Sequence, residues 1–156
     1  MKHNFEKLYA LITVVAIIIC SCSENKKQSN DDVEKKRLNS VYYWRTVFSL
    51  DTTEEAFLVK HKIDRIYLKM FDVAIEYNHA MGKPEVVPIA TMQFKSAIPN
   101  DIEIVPVAYI TLDALRAMSG RESEFASLLV ERLKAMMSYN KCGEMQEMQL
   151  DCDWTK

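Results

Sequence analysis

Hydrophobic and polar positions divide the chain into three stretches of different character. An apolar run extends from Leu8 to Ile19, broken only by Thr13. Two lysines precede it, Lys2 and Lys7, and the polar stretch Ser23–Asp32 follows. The run falls short of the roughly 20 apolar residues needed to span a bilayer but has the length of a signal-peptide core. Beyond it the pattern becomes that of a globular domain. Val41–Phe48, rich in β-branched and aromatic residues, predicts a strand. Asp51-Thr52-Thr53-Glu54 has the form of a capping box and opens a helix whose end suits Lys60 and His61. Arg65–Val73 is a second strand. Residues 76–100 contain Gly82, Pro84, Pro88 and Pro99 and read as a long excursion of a kind that is often functional, with a short extra strand at 89–94. A third strand, Ile102–Ile110, contains Pro106, which removes a ladder donor and predicts a bulge or a local break. Thr111 caps a short helix through Leu115 and Met118, which Ser119-Gly120 ends. From about Glu122 to Tyr139, Phe125, Leu128, Leu129, Leu133, Met136 and Met137 build one apolar helix face, so the two methionines are expected in the core. Residues 147–154 give a fourth strand. Alternating β and α units predict a parallel sheet with right-handed crossovers.

The boundary of the first apolar run carries a motif. Ile19-Cys20-Ser21-Cys22 looks like a lipobox, with an aliphatic residue three positions before the modified cysteine and small residues between. Cys20 fits less well, because Ile19 before it is too large for a cleavage subsite that takes a small side chain. The expectation is a lipoprotein signal peptide at 1–21, a lipid on Cys22, a polar tether at 22–40 that buries too little apolar surface to fold, and one small α/β domain at 41–156. A short, uncleaved membrane anchor is the alternative. One acyl chain binds membranes only marginally, but bacterial lipoproteins carry a diacylglycerol and usually a third chain on this cysteine, which suffices. The polar residues after Cys22 resemble the export signals of surface lipoproteins in Bacteroidetes. The expected location is the cell envelope, lipid-anchored to the outer membrane on its periplasmic side or at the cell surface.

Charge and composition narrow the partners. Taking Lys2, Lys7 and Glu6 from 20 basic and 22 acidic residues leaves 18 and 21, so the exported part is slightly acidic and is no nucleic-acid binder. Three glycines and four prolines exclude a fibrous or low-complexity chain. An envelope location would permit a disulfide between Cys142 and Cys152, though spacing alone cannot fix its geometry. No metal-ligand spacing is present, no cofactor is implied, and His61 and His79 stand alone in polar surroundings.

Strand periodicity places the charges. On the fourth strand Glu147, Gln149, Asp151 and Asp153 share one face, and Met148, Leu150, Cys152 and Trp154 share the other. The apolar set belongs against helices, so the acidic set faces inward. Arg45 and Lys69 belong on the same polar side, and pairing of either with Asp151 or Asp153 is the expectation, since a buried charge needs a partner. Asp72, Asp151 and Asp153 fall at or near strand C-terminal ends, where α/β barrels collect their chemistry. Paired carboxylates there suit glycoside hydrolysis; a structural salt-bridge network is the alternative. An Asp-x-Asp pair could also bind Ca²⁺ or Mg²⁺, but too few oxygen ligands are visible for a site.

Four segments carry a resemblance: Tyr42–Thr46, Ile66–Val73, Ile104–Ile110 and Met148–Thr155. They resemble a group of uncharacterised Bacteroidetes lipoproteins that look like glycoside-hydrolase-related TIM barrels, over roughly residues 41–156. The fourth strand is also faintly similar to that of chitinase-like barrels, whose alternating acids end in a catalytic glutamate; Thr155 stands at that position here. The resemblance implies the N-terminal half, about four βα units, of a TIM-type (β/α)8 barrel. Such a barrel typically needs about 250 residues, so the chain reads as truncated, with open sheet edges prone to self-association. Asp151 and Asp153 are then the candidate catalytic acids, with Asp72, Arg45, Lys69 and Trp154 as binding residues, and the fragment is expected to be inactive. The alternatives are a small lipid-anchored glycan- or protein-binding module, in which Tyr42, Trp44, Tyr77 and Trp154 stack on sugars, and a purely structural envelope protein. For the anchor the test is direct. Cells expressing the chain with labelled palmitate should incorporate label into the wild type and the Cys20→Ser variant, and none into Cys22→Ser.

Overall fold

The structure, a computed structural model, describes residues 38–153. The expected signal peptide, Cys22, most of the expected tether and Trp154 lie outside the described residues. The domain is already engaged at Asn39. Its carbonyl accepts from the Asp64 and Arg65 amides, and its side-chain amide donates to the carbonyls of His61 and Lys62.

Seven strands and three helices follow: β1 (Ser40–Tyr43), β2 (Val47–Phe48), α1 (Thr52–Lys60), β3 (Arg65–Asn78), β4 (Lys83–Ile89), β5 (Gln93–Phe94), β6 (Glu103–Ile110), α2 (Leu112–Ala117), α3 (Glu122–Tyr139) and β7 (Gln149–Asp151). The main sheet has the order β1-β3-β6-β7, parallel throughout. β4 folds back antiparallel on the second half of β3, from Asp72 to Asn78. Asp72 and Val73 pair with β6 as well, so β4 must lie on the β1 side of β3, beyond the end of β1. β2 and β5 form a small parallel pair of their own. The fold is thus mixed α/β with a curled parallel sheet.

Local chemistry explains the elements. The Asp51 carboxylate accepts from the Glu54 amide at 2.8 Å and the Glu54 carboxylate from the Asp51 amide at 3.1 Å, closing the capping box that starts α1. The Thr111 hydroxyl accepts from the Ala114 amide and starts α2. Gly120 follows α2 at φ +81, a conformation that would strain any side chain.

The core lies between the sheet and the helices. Ile66, Leu68 and Met70 of β3 and Ile104, Ala108 and Ile110 of β6 pack with Leu58 of α1, Ala114 of α2 and Leu133 and Met137 of α3. Met137 is buried and Met136 is partly buried against this core, as the helix pattern predicts. Leu128 does not join them: it is 53% exposed.

Three further expectations are revised. The strand expected over Val41–Phe48 is two strands, because the chain turns at Trp44–Thr46. The Tyr43 hydroxyl fixes that turn, donating to the carbonyls of Val47 and Ser49 and accepting from the Ser49 amide at 3.0 Å. The long excursion holds the β3–β4 hairpin, and the extra strand is only Gln93–Phe94. Pro84 and Pro88 are tolerated because β4 pairs on one side only. The irregularity expected at Pro106 sits on its neighbour. Leu68 pairs with Pro106 and Lys69 with Val107, but Phe71 pairs with Ala108, so Met70 is an extra residue in β3. Cys142 and Cys152 are free thiols, the first buried.

Removing core volume should separate from removing surface. Leu68→Ala should cost about 2–5 kcal/mol, read as a lowered thermal midpoint by circular dichroism. Tyr139→Ala, at a fully solvated position on α3, should stay within about 0.5 kcal/mol of wild type.

Candidate functional site

The face of the sheet away from the helices is where the polar side chains collect. Across it the register sets three rows that carry charged side chains. Arg65 lies beside Glu103, Lys69 beside Val107 and Gln149, and Asp72 beside Tyr109 and Asp151. The bulge makes the third row possible. Without Met70 as an extra residue, strict alternation would put Asp72 on the helix side with Ile66 and Leu68, and Phe71 on the polar face. Instead Met70 and Phe71 are both buried, Asp72 turns to join Tyr109 and Asp151, and the guanidinium of Arg132 from α3 stacks over the Phe71 ring at 5.1 Å. The Met70 carbonyl is not lost: the Met92 amide donates to it at 2.7 Å.

This face is concave. β1 and β7 are three strands apart, about 14 Å in a flat sheet, beyond what a tyrosine and a glutamine can bridge sideways. Yet the Tyr42 hydroxyl donates to the Gln149 Oε1 at 3.0 Å. Only a curled sheet brings them together. Val105 and Val107 form its fully buried floor, covered by the longer side chains around them.

At the N-terminal end of the hollow, Arg65 bridges two acids, Glu103 at 3.0 Å and Glu147 at 2.9 Å, and reaches the Tyr67 hydroxyl at 3.3 Å. The tyrosine contact and then the two carboxylates hold its guanidinium above its ordinary pKa against an opposing desolvation. Above it the rings of Tyr67, Tyr42 and Trp44 form a continuous stack, with centroids 4.8 and 6.0 Å apart. Lys69 lies over the Trp44 ring at 5.8 Å and pairs with Asp72 at 2.8 Å. Tyr109 donates to Asp153 at 3.3 Å, and Asp151 accepts from the Cys152 amide at 2.9 Å.

The sequence-predicted residues therefore divide. Lys69, Asp72, Asp151 and Asp153 share the concave side with Tyr109. Arg45 does not join them; it stacks on Tyr43 at 4.6 Å and pairs with Glu54 of α1. The expected ion pairs from Arg45 or Lys69 to Asp151 or Asp153 are absent among the described residues, because both cations find acids nearer in sequence. Leu150, expected against a helix, is 52% exposed, since no described element covers β7 on that side. Gln149 lies on this face as strand periodicity places it, and Tyr67 and Tyr109 complete it. The alternation of Tyr67 with Arg65 and Lys69 was the signal that could have found the first of these two.

Among the described residues no three His, Cys, Asp or Glu side chains gather as a metal site, and no helix is long and apolar enough to cross a membrane. A cavity of about 760 Å³ lies away from the carboxylates. It is an apolar groove along the outer edge of β1, lined by Val41, Tyr43, Leu50, Phe57 and Leu58, with Tyr42 and Trp44 at its rim. No protein-family model, curated protein or solved structure matches this chain.

The Tyr109 contact is measurable. Partial desolvation and then the Asp153 carboxylate hold its phenol above the ordinary range. An ionised phenolate would face that carboxylate, so the folded form keeps the proton longer than the unfolded one. The resulting stabilisation is present below about pH 10 and is lost as pH rises through the folded value. In Asp153→Asn the Tyr109 transition should move down, read as the difference between ultraviolet titrations with and without Tyr109→Phe.

Proposed function

We propose that this chain is a lipid-anchored protein of the bacterial cell envelope, and that its exported domain is a half-barrel relative of glycoside hydrolases that holds glycan without cleaving it. The observation that carries this reading is the continuous Tyr67–Tyr42–Trp44 ring stack beside carboxylates on one concave face. Flat apolar rings offer the faces on which sugar C–H surfaces pack, and carboxylates and amides at their margin accept sugar hydroxyls. Trp44, the outer ring of the stack, is 42% exposed and open to a ligand. The parallel order, the helices on the convex side and the acids at strand C-terminal ends support the barrel kinship.

Lack of turnover follows from how the acids are used. Glycoside hydrolysis needs one carboxyl to protonate the leaving oxygen and another, about 5–9.5 Å away, to act as nucleophile or base. Asp72 is tied to Lys69 and Asp153 to Tyr109, and Thr155 stands where the chitinase-like pattern has its glutamate. The attachment at Cys22 rests on the lipobox and places the domain at the membrane surface.

A glycan array probed with the full chain in detergent tests this. Binding should appear for at least one glycan class and weaken at least tenfold in Trp44→Ala, while Tyr139→Ala binds as wild type. Hydrolysis of any bound glycan that disappears in Asp151→Asn or Asp153→Asn would replace the binding reading with a catalytic one. No binding across the array would remove both.

A further inference from the structure

The two outer edges of the main sheet are complementary. β1 pairs only with β3 and β7 only with β6 among the described residues, and β4 takes the edge of β3 only from Asp72 onward, leaving Ser40–Tyr43 open. Unpaired N–H and C=O groups on a parallel edge are a template for another strand. Beside the β1 edge lies the apolar groove formed with α1, where Phe57 is half exposed. On the convex side of β7, Leu150 is half exposed. The charges match as well. Residues 38–48 carry one cation, Arg45, and no acid; residues 147–153 carry three acids, Glu147, Asp151 and Asp153, and no cation.

We propose that two copies of this domain close into one parallel barrel, the β7 edge of each pairing with the β1 edge of the other, with Leu150 seated in the partner's β1–α1 groove. Four parallel strands per copy give eight, the number at which a barrel interior is just filled by side chains. A two-fold axis along the barrel keeps every strand parallel and makes the two contacts identical, so the assembly stops at two. It sets the acidic ends of β7 beside the Arg45 end of β1 in the partner, where Arg45 already pairs with Glu54 of its own α1. The curl already present, shown by the Tyr42–Gln149 contact, is the curvature such closure needs. A second copy fits this edge better than a foreign helix, because the groove continues directly into an open strand edge that a helix cannot pair. The inference concerns assembly, and its test reads mass rather than glycan binding.

Sedimentation equilibrium of the full chain in density-matched detergent tests it. The wild type should weigh two chains, and Leu150→Arg should weaken self-association at least tenfold, because the charge would enter an apolar groove. Leu150 is half exposed in the single chain, so the variant should keep its circular dichroism spectrum. Phe57→Arg, at the other side of the same contact, should act alike. A monomer at all concentrations, species larger than two, a dimer unmoved by both variants, or a different chain co-purifying in one-to-one ratio would each overturn the proposal.

Discussion

The extra residue in β3 is the constraint from which the rest of the structure follows. Side chains on a strand alternate, so a single insertion reverses every later one. Before Met70, the polar residues Arg65, Tyr67 and Lys69 face the hollow and Ile66 and Leu68 face the helices. After it, Asp72 takes the hollow and Phe71 the core. The bulge turns one strand into two half-strands of opposite parity. It adds a buried aromatic to the helix side and a carboxylate to the concave side in the same step. It persists because its exposed backbone is satisfied, the Met92 amide closing on the Met70 carbonyl. Pro106, lacking an N–H, is the partner of Leu68 two residues earlier. The two irregularities of the ladder thus fall together, in one short stretch, rather than weakening two.

The Lys69–Asp72 pair shows what the bulge achieves electrostatically. Both side chains are largely buried, Lys69 at 13% and Asp72 at 20% exposure. A pair so placed adds little net stability against an apolar alternative, but loss of either partner leaves a charge uncompensated. Its effect is therefore on arrangement: it holds the ammonium over the Trp44 ring and fixes the third row of the concave face next to Tyr109 and Asp151. Tyr42 does the same from the other side, stacked on Tyr67 and Trp44 while its hydroxyl spans to Gln149.

Much of this was legible in the sequence, and the failures share a cause. The helix starts at Asp51 and Thr111, the long helix from Glu122, the strands at Arg65 and Glu103 and the polar side of β7 all follow from local rules that need no knowledge of neighbours. What was missed depends on a partner elsewhere. The hairpin arm Lys83–Ile89 contains two prolines, and sequence alone cannot tell an edge strand, which tolerates them, from a loop. The break after Tyr43 is fixed by a hydroxyl reaching forward to Ser49. Pro106 correctly announced an irregular ladder, but a ladder has two strands, and the extra residue lies in the one without the proline. The charge pairs failed differently: Glu54 and Asp72 were near in sequence, and proximity along the chain outweighed the longer reach to Asp151 and Asp153.

The parallel order imposes a last condition. Parallel sheets are ordinarily covered on both faces, and here, among the described residues, helices cover only one. The other must be covered from within, by its own side chains converging as the sheet curls. On the concave face Val105 and Val107 are fully buried, with no helix over them among the described residues. A flat sheet of this order would leave those valines in water; a curled one buries them while keeping charge at its rim. Curl, polar lining and one-sided helices are therefore one solution rather than three features, and it is the solution that barrels use. The lining is thinnest at the Trp44 and Tyr42 end, beside β1, where both side chains are partly exposed.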